Sequence, residues 1–433
     1  MMIEDVMTKI KNGDLRSIFA ELYGPEEEVL SYQSDRYLRA LSEFSRTFPE
    51  TASSGKETFL FSAPGRTEIC GNHTDHQHGR VLAAAVDLDA IAVVSGNDTH
   101  LIRLQSEGYK EVEVDFSDTS PREEEKGTTA SLIRGVAAQF ISRGVDVNGF
   151  DAYVTSDVLS GSGLSSSAAF EVLTGNIIDH MSNGGKAGSI EIAKYGQIAE
   201  NNYFGKASGL MDQMVSSVGG FVGIDFADPR SPKIDTHQCD LNKLGFSLII
   251  TDTKGSHADL SGEYSAIPKE MQSVASFFGK EYLREVDEKA FYANLAEMKK
   301  TPGISDRAIL RSAHFFSDDA RVPEEEKALD EGDMRRFLDL VNASGNSSAA
   351  LLQNLYCAER PADQEIPLAL LLSRRVLGDQ GACRVHGGGF AGTIQAFVPK
   401  AKVKEYIGTL EGVFGNGSCH ILRIRPRGGI RVL

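Results

Sequence analysis

Apolar residues recur at helical spacing over about the first 57 positions, which predicts a helical extension at the N-terminus. Residues 58–63 form a short apolar run stopped by Pro64-Gly65, 81–95 a longer β-favouring run, and 112–116 an alternating strand pattern. Helices are predicted at 130–141 and 164–178, the latter with Ala169, Leu173 and Ile177 on one face, and a strand at 150–155 between them. A polar stretch with two prolines, 227–243, marks a crossover and suggests two domains, 1–235 and 236–433. Beyond it the pattern predicts a buried strand at 246–251, a long helical region from about 264 to 373, strands at 382–385 and 393–398, a helix near 403–413 and a strand near 421–424. Strands and helices mix in an α+β order, without an internal repeat.

Composition narrows the class. The chain has 433 residues, 41% hydrophobic and 24% charged, enough for full hydrophobic cores. Its 45 basic and 61 acidic residues give a formal charge of -16, which argues against non-specific binding to nucleic acid or an anionic membrane. An anionic ligand then needs a local device, such as a helix N-terminus or a bound cation. The five cysteines are scattered and form no CxxC pair, which argues against a disulfide framework or a cysteine zinc site and fits a reducing compartment. The N-terminal residues lack the basic start and apolar core of a signal peptide, and apolar stretches such as 368–372 are too short to span a bilayer. The expected location is the cytoplasm.

The most informative segment is Leu159-Ser-Gly-Ser-Gly-Leu-Ser-Ser-Ser-Ala-Ala169, between the predicted strand and helix. Gly161 and Gly163 let the backbone approach a ligand, Ser165, Ser166 and Ser167 add hydroxyl donors, and the first N–H groups of the helix lack internal partners. With Leu164 and Ala168 this makes an anion cradle whose natural occupant is a nucleotide phosphate. No Gly-Lys-[Ser/Thr] follows, so it is not a Walker A loop, and a serine-capped helix after a turn would look similar. A second glycine cluster, His386 to Gly392, matches GxGxxG, but a strand pattern follows it instead of a helix, so it reads as a tight hairpin. A third segment, 64–75, gathers Arg66, Asn72, His73 and Asp75. His73, His76 and His78 lie close in sequence without fixed spacing or a fourth ligand, so a metal site is the minority reading; a polar loop with Asp75 capping a helix and a set of groups gripping sugar hydroxyls both fit.

Four motifs fall in order: Ala63-Pro-Gly-Arg66 with His73-Thr-Asp75, Gly-Leu-Ser-Ser-Ser-Ala at 163–168, Gly209-Leu-Met-Asp-Gln213, and the glycine cluster at 387–392. Together they resemble the GHMP kinase superfamily, and the galactokinases most closely within it, over nearly the whole chain from about residue 15. The resemblance implies a two-domain fold, with an N-terminal half like ribosomal S5 domain 2 and a ferredoxin-like C-terminal half. It also implies phosphorylation of the C1 hydroxyl of a galactose-like sugar by ATP with Mg2+. By matching positions it implies Asp212 and Arg66 as catalytic residues, and Ser167 and Glu200 as metal ligands. Asn72, His73, Asp75, Gly209 and Tyr264 would line the sugar site, and Gly161 with residues 163–168 the phosphate site. The expected partners are a small sugar and ATP, the expected state a monomer.

Two departures bear on the substrate. Asn72 stands where the family has glutamate, and Glu68 where it usually has asparagine; Ser344-Gly345 replaces Ser-His, and His386 and Ala391 are unusual. An amide at 72 can bond a C6 hydroxyl but also tolerates a C6 carboxylate or a missing C6, so galacturonate and L-arabinose stand beside galactose. A non-catalytic sugar and ATP sensor, or a kinase for a non-sugar alcohol such as mevalonate or homoserine, are the competing classes. The presence of Asp212, Arg66 and the serine loop argues for the enzyme, and the His-Thr-Asp segment for a sugar.

Overall fold

A strand of 17 residues organises the larger of two sheets. In chain order the strands of this sheet are β1 (Thr58–Cys70), β2 (Arg80–Gly96), β3 (Leu101–Ser106), β4 (Val112–Asp115), β5 (Phe150–Ser156), β6 (Phe221–Asp225) and β7 (Lys233–His237). The long strand β2 pairs antiparallel with β1 along its length, with β5 over 90–96 and with β6 over 80–84. The smaller sheet contains β8 (Phe246–Asp252), β9 (Ala382–Val385), β10 (Thr393–Pro399) and β11 (Cys419–Leu422), all antiparallel in the order β11-β8-β10-β9. A final short strand, β12 (Ile430–Arg431), returns to the edge of the large sheet beside β1. This computed structural model describes residues 1–159, 163–206, 208–255, 260–390 and 392–433, apart from the side chain of Ser261.

The apolar runs are continuous because both faces of the large sheet are covered. Ala90, Ala92 and Val94 face a core made with helices Thr129–Ile141, Ser166–Ile178 and Ser189–Ala199. Ile91 and Val93, pointing the other way, pack beneath the N-terminal helices Arg16–Tyr23 and Glu27–Thr47. The small sheet also has two covered faces. Ile249, Ile394 and Ala396 pack on helices Glu365–Leu377 and Val403–Phe414. Leu248, Ile250 and Phe397 share a core with Leu82, Ala84 and Val86 of β2, across helices Asp306–Glu331 and Met334–Ser347. That shared core fixes one sheet against the other.

A buried polar node ties both chain ends to the large sheet. Asp89 is fully buried and accepts from Arg36 at 2.6 Å, Arg425 at 2.9 Å and Tyr23 at 2.6 Å, with Ser62 in close contact. Burial alone would raise this carboxyl, but the two guanidinium groups hold it below the ordinary range.

The structure departs from the predicted pattern at Pro64-Gly65, where β1 does not stop. Pro64 still pairs with Asp89, and register shifts between Pro64 and Arg66 and between Glu68 and Cys70 absorb the irregularity as bulges, where a missing N–H is tolerated. The polar segment from Arg66 to Cys70 is therefore strand, and the loop is confined to 71–79. The polar stretch 227–243 likewise contains β7, paired with β6. The helix of the phosphate loop starts at Ser166, two residues later than the pattern predicts.

Candidate active site

The first bulge of β1 seats the serine loop. Arg66 N–H donates to the Leu164 carbonyl at 3.0 Å, and a Cβ on Gly65 would lie 2.8 Å from that same oxygen. Gly163 and Ser165 both have left-handed backbones, at φ 75° and 57°, and no serine side chain is used to cap the helix Ser166–Ile178. Gly161 lies outside the described residues; Leu164 and Ala168 are buried beneath the loop.

From the same bulge the Arg66 side chain reaches helix Met211–Val218. Its Nε and Nη2 each donate to Asp212 at 2.7 Å, a bidentate pair, and its Nη1 donates to the Gly163 carbonyl. One guanidinium thus joins the carboxylate to the phosphate loop. Asp212 keeps 28% of its side chain exposed, so one face of the carboxylate is open. Desolvation would raise it, but the Arg66 charge and hydrogen bonds, helped by Ser165 and Lys206, hold it below the usual carboxylate range.

Glu200 begins a wide turn, Glu200–Phe204, that interrupts the helical run after Ala199. It is almost fully buried. The Ser167 hydroxyl faces its Oε1 at 3.3 Å, the Lys206 ammonium lies 2.8 Å from the same oxygen, and Gln213 donates to its Oε2 at 2.9 Å. Ser166 and Ser167 also line a cleft of about 1260 Å³ whose walls include Leu88, Leu132, Val158, Phe170 and Phe204. An apolar slot ending at a serine-lined helix start fits a flat base joined to phosphates. A second cavity of about 450 Å³, between 20–25, 237–243 and 422–426, is lined by none of these side chains.

The turn 71–79 carries the other polar residues. A Cβ on Gly71 would lie 2.4 Å from the Arg80 carbonyl, and its φ of 88° favours glycine, so the turn closes only with glycine there. Helix Asp306–Glu331 holds it from below: Asp318 accepts from the Gly71 and Asn72 N–H groups at 3.1 and 3.0 Å, and His314 bonds the Asn72 carbonyl at 2.9 Å. The β9–β10 connection is a hairpin, as its pattern predicts. Its glycine carbonyls receive side chains from distant segments: Gly387 from Asn72 at 2.8 Å, Gly388 from His73 at 3.0 Å, and Gly389 from Tyr264 at 2.9 Å. Burial holds the His73 imidazole down at about 4, so it is neutral at physiological pH, and pushes the Tyr264 phenol up to about 12.

Asp75 lies beside Gly209, where a Cβ would come within 2.7 Å of its Oδ2, so glycine at 209 makes room for the carboxylate. Asn72 is placed differently from the rest. It is 1% exposed, its amide donates to Glu68 Oε1 and the Gly387 carbonyl, both at 2.8 Å, and its carbonyl accepts from Asn354 at 2.7 Å. Glu68 Oε1 also faces Arg384 at 3.3 Å, and burial raises its carboxyl to about 7 against the pull of Arg384, Arg66 and Asn72. Two of the residues that depart from the family pattern are therefore in direct contact.

The structure brings Arg66, Asp212 and residues 163–168 together, with Ser167 and Glu200 adjoining. It brings Asn72, His73 and Tyr264 to the glycine hairpin. Sequence reasoning missed Glu171, Lys206, Gln213, His314, Asp318 and Arg384. Gln213 closes the Gly209–Gln213 motif but drew no role from it; the others sit in segments with ordinary helix or strand patterns.

Residues 42–96 match the galactokinase galactose-binding signature, and residues 131–220 match the GHMP kinases N-terminal domain. The fold is shared with Lactococcus lactis galactokinase complexed with galactose, at 22% identity and a TM-score of 0.75, covering 90% of this chain and 99% of that one. Methanococcus jannaschii mevalonate kinase follows at 15% identity and TM-score 0.60, over 85% and 98% of the two chains. A Bacteroides D-glycero-D-manno-heptose 1-phosphate kinase gives 16% and 0.58, over 87% and 98%. No helix among the described residues is long and apolar enough to cross a membrane, and all five cysteines are free. The chain thus carries a match to the galactokinase galactose-binding signature and a match to the GHMP kinases N-terminal domain, on a fold shared with solved kinases of that type.

Proposed function

We propose that the protein transfers the γ-phosphate of ATP to the C1 hydroxyl of galactose, giving galactose 1-phosphate and ADP. The observation that carries this reading is the Arg66 bridge, one side chain paired with Asp212 and bonded to the Gly163 carbonyl of the phosphate loop. It ties an ionised, partly open carboxylate to the loop where terminal phosphates would rest.

Phosphoryl transfer through a loose transition state needs little help in removing the acceptor proton early. A carboxylate held below its ordinary range is a weak base but a good acceptor, so Asp212 orients the attacking hydroxyl and takes its proton late. Arg66 keeps Asp212 ionised, and the loop N–H groups and serines gather charge on the transferring group. The turn 71–75 and the glycine hairpin form the sugar side, with neutral His73, Asp75 and Tyr264 as hydroxyl partners. We place the division between the two halves at residue 235.

Ser167 and Glu200 would hold Mg2+. Both offer oxygen, and Glu200 Oε1 already faces a cation in Lys206. The ion would screen the charge of the nucleotide phosphates. A second reading, the same reaction on galacturonate or L-arabinose, is favoured by the locked, uncharged Asn72.

An ADP-release assay with galactose, galacturonate, L-arabinose and mevalonate tests the proposal. Release with galactose above the others supports it. Release with none of them, in a protein that still binds ATP, leaves a sensor.

A further inference from the structure

The cation nearest the proposed metal oxygens belongs to none of the motifs. Lys206 follows the wide turn Glu200–Phe204 and Gly205, and its Nζ donates to Glu200 Oε1 at 2.8 Å. Its side chain is 59% exposed whereas that of Glu200 is 3% exposed, so a flexible chain reaches in from solvent to a fixed carboxylate. The oxygen it takes is the one the Ser167 hydroxyl faces at 3.3 Å. The other oxygen of Glu200 is held by Gln213 at 2.9 Å, and the same Gln213 amide donates to Glu171 Oε2 at 2.8 Å. Glu171 Oε1 is buried and has no hydrogen-bond partner among the described residues. The pocket holds more carboxylate oxygen than donors, and a lysine from the surface supplies a charge that offsets it.

We propose that Lys206 is a tethered counter-ion that occupies Glu200 Oε1 in the empty enzyme, yields it to the metal, and moves to the nucleotide phosphates. The inference rests on the reading of Ser167 and Glu200 as metal ligands. A metal ion and an ammonium group cannot both sit in contact with one oxygen on the same side, so metal entry displaces the lysine. Its long exposed stem then finds the nearest new anion, a phosphate oxygen at the adjoining serine loop. Lys206 is thus a positioning residue in the empty site and a phosphate contact in the loaded one.

Two consequences of opposite sign follow. Removing the ammonium frees Oε1, so the nucleotide-free protein should bind metal more tightly. Removing it also takes a cation from the phosphate site of the metal-loaded protein, so nucleotide should bind that form more weakly. A lysine with only a structural role would not move the two affinities in opposite directions.

The test uses the full-length protein as wild type, Lys206→Met, Lys206→Arg and Glu200→Gln. Mn2+ binding without nucleotide is read by electron paramagnetic resonance, and ATP binding at saturating Mg2+ by calorimetry. For Lys206→Met the expected changes are about fivefold or more tighter Mn2+ binding and about fivefold weaker ATP binding at saturating Mg2+. Lys206→Arg should restore ATP binding. Unchanged or weaker Mn2+ binding in Lys206→Met overturns the proposal. Glu200→Gln separates the two readings: Mn2+ binding that survives it overturns the metal-ligand assignment itself, while binding lost there but unmoved by Lys206→Met overturns only the role of Lys206.

Discussion

Replacing Asn72 by glutamate, the residue galactokinases have at this position, should unfold the sugar turn unless Glu68 is changed with it. Asn72 is 1% exposed and Glu68 6%, and the Asn72 amide bonds Glu68 Oε1 at 2.8 Å. Asn72→Glu removes both hydrogen bonds donated by that amide and sets a second carboxylate against the first. A buried, uncompensated charge costs about 3–5 kcal/mol, and the lost donors about 1 kcal/mol each; protonation of one carboxyl limits the total. The wild-type Glu68 carboxyl already stands at about 7, and a neighbouring carboxylate raises the pair further. The folded-state value then lies well above the unfolded value of about 4.3, so the folded variant keeps a proton that the unfolded chain releases. Its deficit should be small near pH 5 and grow as pH rises through 7. The exchanged variant, Glu68→Asn with Asn72→Glu, restores one carboxylate and one amide beside Arg384 and should recover most of the loss. Urea unfolding of wild type, both single variants and the exchange, at pH 5.5 and 8, closes a double-mutant cycle with an expected coupling of about 2–3 kcal/mol at the higher pH. Additive effects, or a deficit equal at both pH values, would refute the reasoning.

Three further outcomes follow from the geometry. Asp212→Asn should leave ATP binding intact and lower turnover by about 10²–10⁴-fold, read by calorimetry and steady-state kinetics; near-normal turnover would remove Asp212 from the reaction. Gly209→Ala places a methyl group 2.7 Å from Asp75 Oδ2, so sugar KM should rise while ATP binding holds, and an unchanged KM would separate Asp75 from the sugar. Asp89→Asn leaves the buried Arg36 and Arg425 short of a counter-charge and should cost about 3–5 kcal/mol in chemical unfolding. In the wild type the Asp89 contribution is present above the unfolded carboxylate value and is lost as pH falls through the lowered folded value, so the variant should show a flatter acid limb.

What could be read from the sequence was local. The serine loop, the hairpin at 386–392 and the continuous apolar run of β2 are each set by neighbouring residues, through backbone freedom and side-chain burial. The strand through Pro64 was not legible, because its continuation depends on pairing with Asp89 and on bulges that only the partner strand imposes. The counterparts of the sugar turn were hidden for a similar reason. Asp318, His314 and Arg384 come from 240 to 320 residues away, on elements whose spacing is that of any amphipathic helix or buried strand. Glu68 and Asn72 stood out singly as departures, but their contact needs the chain to turn after Cys70, at Gly71, and fold position 72 back to position 68. Lys206 had no signal at all, since a lysine after a glycine turn is an ordinary surface residue.

Phosphorus NMR of the product made from galactose and ATP tests the central claim most directly. A new phosphate resonance coupled to the anomeric proton, growing in step with ADP and absent with Asp212→Asn, is the predicted result. A phosphate coupled to any other sugar position, or ATP consumed with inorganic phosphate as the sole product, would contradict the account.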